Sequence, residues 1–141
     1  MSAFIVSDYH INALVSWAAD RHGYRAVTYY HAGRRRDIRE APARVASVLY
    51  AENVRSVNAR YDEAERADGF RFKRVATSHL KAADIVNACN CLDYQSCETP
   101  DWRETEAFAI VDAIRDAAVR DLCESSSVWA LDAPEPAARR A

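Results

Sequence analysis

The sequence predicts a mainly α-helical single domain of about four helices, with room for a minor two-stranded sheet (α+β). Three observations carry that expectation. Only three glycines and four prolines occur in 141 residues, about 5% where roughly 12% is usual, so few tight turns are specified and a many-stranded sandwich or barrel is disfavoured. Apolar residues recur at helical spacing in several long segments, whereas strand-like composition is confined to two short ones. Half of the residues are hydrophobic, and a chain of this length can bury about two-thirds of its unfolded surface without disulfide or metal staples.

The elements follow in order. Ser7 is placed to cap a first helix over 8–22, with Ile11, Leu14, Val15 and Ala18 as its apolar stripe, Asp8, Asn12 and Asp20 on other faces, and Gly23 at its end. Tyr24 to His31 is rich in aromatic and β-branched residues and reads as a short strand. Pro42 suits the first turn of a long second helix over 42–66, carrying Val45, Val48, Leu49, Val54, Val57 and Tyr61; Asn53 is the one place where it could bend. Asp68-Gly69 marks a turn, and Phe70 to Val75 alternates apolar and basic residues, which predicts a second strand able to pair with 24–31. Thr77 or Ser78 can cap a third helix over 79–95 whose inward positions are Ala82, Ile85, Ala88, Cys89 and Leu92. Thr99-Pro100-Asp101-Trp102 has the pattern of another helix start. From Thr105 to Cys123, Ala107, Phe108, Ile110, Val111, Ile114, Ala118 and Leu122 form one broad apolar face, and Asp116 and Arg120 make an acid-first pair four apart on the polar side. The chain therefore divides into a helical globular domain over 1–123 and a tail over 124–141, expected to be flexible unless Val128-Trp129 docks on the body.

Bulk properties narrow the function. The formal charge is 19 − 21 = −2, which gives no global field for nucleic acid, so any such binding needs a local patch. No run of about twenty apolar residues occurs and the start lacks the pattern of a secretory signal, so a cytoplasmic protein is expected. Cys89, Cys91, Cys97 and Cys123 are expected to be reduced. Cys89 and Cys91 on one helix point about 200° apart and cannot chelate one ion together, so no metal site is expected. Cys97 is the one thiol near a predicted helix start, but no histidine can be placed beside it. Walker, dinucleotide, nucleophile-elbow and His-Glu-x-x-His patterns are missing, and no cofactor or catalytic residue is assigned; an enzyme is disfavoured.

The segment Tyr29-Tyr30-His31-Ala32-Gly33-Arg34-Arg35-Arg36, with Arg39 close behind, carries recognisable interaction chemistry. Aromatics beside an arginine triplet at an exposed turn can stack on bases and clamp phosphates, or grip an acidic protein surface. Tyr29, Tyr30, Arg34, Arg35, Arg36 and Arg39 are therefore the candidate partner-binding residues, joined by Arg71, Lys73 and Arg74 if the two predicted strands are neighbours. The competing reading is a solvated turn whose arginines pair with Asp37 and Glu40.

Three stretches form a further pattern: Ser2-Ala3-Phe4-Ile5-Val6-Ser7 with His10-Ile11 and Leu14-Val15; Asn53 to Tyr61; and Leu80-Lys81 with Cys91 to Trp102 and Glu106-Ala107-Phe108. Over most of residues 2–122 the combination resembles a family of small proteins from bacterial genomes, phages and plasmids, with Tyr94-Gln95-Ser96-Cys97-Glu98 as its most distinctive part. The resemblance implies a mobile-element origin and an inhibitor that binds a host protein or ribonucleoprotein complex, anti-CRISPR proteins included. Tyr94, Gln95, Cys97, Glu98, Asp101 and Trp102 then surround a helix-to-helix junction. Buried, they are a hydrogen-bonded structural elbow. Exposed, together with His79, they are an alternative site for a small enzyme or nucleotide-handling protein.

Overall fold

The computed structural model describes residues 6–21, 26–58 and 71–124. These form an α+β domain of four helices and one two-stranded antiparallel sheet. Helix α1 (Asp8–Asp20) starts where predicted: the Ser7 hydroxyl accepts the His10 N–H at 3.4 Å and His10 Nδ1 accepts the Ser7 N–H at 3.2 Å, a reciprocal cap with an imidazole in the place of the usual Glu. Every residue from Ile11 to Ala18 is buried. Asn12, expected on a polar face, is only 4% exposed, because α1 is packed against all three other helices and has no free side over that stretch. Gly23 lies outside the described residues.

The sheet has a different partner from the one predicted. Strand β1 (Thr28–His31) pairs with β2 (Arg34–Asp37) in the register Thr28–Asp37, Tyr29–Arg36, Tyr30–Arg35 and His31–Arg34, so the arginines lie on a strand and not in the turn. Residues 71–77 form no strand; Val75 instead donates its N–H to the Ser16 hydroxyl at 3.2 Å. A two-residue loop closes at lower entropic cost than a long crossover. Ala32 and Gly33 supply it with φ of +54° and +76°, the left-handed pair that two-residue hairpins favour. Glycine adopts this without cost, but at Ala32 it is unfavourable by about 1 kcal/mol. Ala32→Asn, which installs the preferred Asn-Gly turn, is expected to raise the melting temperature by a few degrees, read by circular dichroism.

Beyond the hairpin, Ile38 donates to the Val27 carbonyl at 2.9 Å and is fully buried, while the Asp37 carboxylate caps a short 3-10 turn by accepting the Arg39 N–H at 2.9 Å. Helix α2 (Pro42–Asn58) passes straight through Asn53 as one helix; the predicted continuation over 59–66 lies outside the described residues. Helix α3 (Ala82–Ser96) begins three residues later than expected. Thr77 closes a turn with its carbonyl, accepting the Leu80 N–H at 3.0 Å, and Asp84 reaches back to the Lys81 N–H at 3.2 Å. A self-made cap thus replaces Thr77 and Ser78. Its buried face holds Ile85, Cys89 and Leu92.

The chain turns sharply before α4 (Glu106–Glu124). Thr99 and Pro100 do not start a helix, because Asp101 adopts a left-handed φ of +57° that admits only a 3-10 turn, Trp102–Glu104. Thr105 is the true cap of α4, its hydroxyl accepting the Phe108 N–H at 3.1 Å. Helices α3 and α4 share the most extensive helix contact, and Ala107, Ile110, Val111, Ile114 and Ala118 enter the core as predicted, whereas Leu122 stays 40% exposed near the helix end. Among the described residues no helix is long and apolar enough to cross a membrane. The tail predicted over 124–141 lies outside the described residues, apart from Glu124, which ends α4.

Candidate functional surfaces

Strand alternation divides the arginine cluster. Tyr29, His31, Arg34 and Arg36 share one side of the ribbon, and Thr28, Tyr30, Arg35 and Asp37 the other. Tyr29 is 3% exposed and is a structural anchor, a correction to its place among the partner-binding residues. It is buried because its ring enters the core while its hydroxyl donates to Glu106 Oε2 at 2.6 Å on α4. Arg44 on α2 completes the anchor, donating to the Tyr29 hydroxyl at 3.1 Å and to Glu106 Oε1 at 2.8 Å. The Arg44 hydrogen bond holds the Glu106 carboxyl below the usual range, burial and the Glu106 contact push the Tyr29 phenol up, and the Glu106 carboxylate keeps Arg44 charged. Sequence reading missed Arg44 and Glu106, since no local pattern links residues 62 apart.

Tyr30, by contrast, is 66% exposed, and Arg34, Arg35 and Arg39 are exposed with Arg36 half-buried. Among the described residues none of Arg34, Arg35 and Arg36 forms an ion pair. Arg34 and Arg35 stand in solvent as the competing reading has it, but their pairing with Asp37 is not made, and Asp37 Oδ1 accepts the Arg39 N–H instead. The strand contact that would have brought Arg71, Lys73 and Arg74 to this surface is not made; Arg74 pairs with Asp20 at 2.7 Å.

The helix junction separates into an inner and an outer set. Gln95 is 1% exposed. Its Oε1 accepts the Val6 N–H at 3.0 Å and the Asn53 amide at 3.2 Å, and its main-chain carbonyl accepts the Ser56 hydroxyl, so one residue joins the start of the chain, α2 and α3. Trp102 is buried as well, donating its indole N–H to Asp93 at 2.6 Å and packing edge-to-face on Phe108 at 5.7 Å. Arg115 holds the other Asp93 oxygen at 3.1 Å. These are elbow contacts. Tyr94, Cys97, Glu98 and Asp101 are exposed, and Tyr94, Cys97 and Asp101 rim an open depression of about 630 Å³ with Arg103 and Glu104. His79 does not line it; its ring lies 3.5 Å from the Tyr9 hydroxyl, beside α1. The alternative site is thus not assembled as one constellation.

Burial pushes the Cys89 thiol up to about 12, leaving it a small core hydrophobe. Among the described residues no group of histidine, cysteine and carboxylate side chains is arranged to hold a metal ion. No protein-family profile, curated protein or solved structure matches this chain.

Proposed function

We propose that this chain is an interaction protein that docks on a host protein or ribonucleoprotein complex through the β1–β2 hairpin, and in its sharpest form is a mobile-element inhibitor of a host defence complex. The observation that carries this reading is the set of arginines without ion pairs on a ribbon anchored from beneath. Residues 28–40, the hairpin and the turn after it, hold four arginines and two acidic residues, so their charge is 4 − 2 = +2 in a chain of −2. A charge concentrated on a braced hairpin meets a partner with little ordering cost. Arg34 and Arg35 are exposed and form no ion pair among the described residues, so their guanidinium groups are open to an incoming acidic surface. The mobile-element part of the proposal rests on the family resemblance of the flanking segments.

Affinity purification from a bacterial lysate with the full chain as bait is the test, alongside a defence-inhibition assay. Replacing Arg34, Arg35 and Arg36 together by Glu is expected to reduce partner capture at least tenfold at unchanged helical content, because three favourable charge contacts become repulsive. Undiminished capture by the triple variant would dismiss the hairpin reading. The depression beside Tyr94 and Cys97 supports the rival reading of a small-molecule site less well, since Gln95 and Trp102 are occupied in packing and His79 lies elsewhere.

A further inference from the structure

Between the hairpin and α4 runs a cleft of about 290 Å³, lined by Val27, Thr28 and Arg35 on one side and Ala113, Asp116 and Arg120 on the other. We infer that the partner of the hairpin presents a carboxylate-bearing protein segment, a glutamate side chain seated in this cleft between Arg35 and Arg120. The inference rests on the hairpin reading and adds α4 to the binding surface.

Arg35 forms no ion pair among the described residues, so a guanidinium lines this cleft with no carboxylate of its own. Arg120 holds Asp116 at 2.9 Å, but the two side chains are 49% and 70% exposed. A pair so open to water is worth only a few tenths of a kcal/mol, and Arg120 can turn from Asp116 to an incoming anion at small cost. Val27 and Ala113 supply apolar wall for the methylenes of a glutamate, and Thr28 lines the same side. The carboxylates in the surface select the class of partner. Asp116 lies in the cleft and Asp37 shares the Arg35 side of the ribbon. Asp116 repels any anion in the cleft, so the occupant has to bring a single carboxylate together with an amide N–H or a lysine for Asp116, which a protein segment can supply and a run of evenly spaced phosphates cannot.

The probes are an acetylated, amidated peptide that carries one glutamate flanked by glycine and lysine, and hexathymidylate, at matched ionic strength, titrated into the full chain and followed by arginine side-chain Nε–H resonances. The peptide is expected to shift Arg35 and Arg120 together. Arg35→Gln and Arg120→Gln are each expected to weaken it about fivefold, and Arg71→Gln, an exposed arginine outside the cleft, less than about twofold. Both variants change exposed side chains, and their thermal melts should match the parent. Tighter binding of the oligonucleotide, no shift at the two arginines, or an unchanged affinity in Arg120→Gln would overturn the inference. Its failure differs from failure of the hairpin reading: in the first case Arg120→Gln is silent while the triple arginine-to-Glu change still abolishes capture, and in the second the triple change is silent too.

Discussion

Gln95→Leu is expected to lower stability by about 3 kcal/mol and the melting temperature by roughly 10 °C. The substitution keeps the volume and removes the oxygen that accepts from both the Val6 N–H and the Asn53 amide. Two buried donors are then left without an acceptor, each at a cost of about 1–3 kcal/mol. The Ser56 contact survives, because it is made to the main-chain carbonyl. Urea unfolding of Gln95→Leu, Asn53→Leu and the double variant separates the contributions: the double variant should lose less than the sum, since removing Asn53 also removes one orphan donor. A loss below about 1 kcal/mol for Gln95→Leu would show that the residue is not the joint of the elbow and would return it to the candidate site.

Tyr29→Ala should cost about 3–5 kcal/mol, as for other buried aromatic truncations, and Tyr29→Phe about 1 kcal/mol. The difference separates the ring in the core from the hydroxyl on Glu106. Acid should act on the same anchor. Because Arg44 lowers the folded-state value of Glu106, its contribution is present above the ordinary carboxylate range and is lost as pH falls through the lowered value, below about pH 4. Arg44 is 42% exposed, so water screens the pair and its share stays near 1 kcal/mol. Guanidinium unfolding at pH 7 and pH 3 is expected to show a shallower acid loss for Glu106→Gln than for the parent chain; equal losses would remove Glu106 from the anchor.

How much of this was legible in the sequence differs from element to element. Helix α4 was readable because one uninterrupted apolar face, Ala107 to Ala118, enters the core. Helix α1 was readable in extent, from Ser7 as its cap, but not in environment, since Asn12 is polar and buried for reasons that lie in the other helices. The hairpin was misplaced because the alternating pattern at 70–75 outweighed an Arg-Arg-Arg run with no apolar side, and Ala-Gly is a weaker turn signal than Asn-Gly. At the elbow, Thr99-Pro100 mimicked a helix start, and only the left-handed backbone of Asp101 shows why the helix waits for Thr105. Among the candidate residues, the junction set follows neither of its two alternative readings as a whole, since Gln95 and Trp102 are buried while Tyr94, Cys97 and Asp101 are exposed. The Tyr29–Glu106–Arg44 anchor had no local signal, because it is made by three elements distant in sequence.

The enclosure of α1 has a consequence for how such a chain can change over generations. With Ile11 to Ala18 buried, this stretch of α1 contributes little surface and tolerates few substitutions, and only its first turn, with Tyr9 51% exposed, meets solvent. The outward side chains of the hairpin stand at the opposite extreme: Tyr30, Arg34 and Arg35 hold nothing else in place. Substitutions at these exposed positions should therefore leave the scaffold's thermodynamics nearly constant, so that the chemistry of the ribbon can vary independently of the fold.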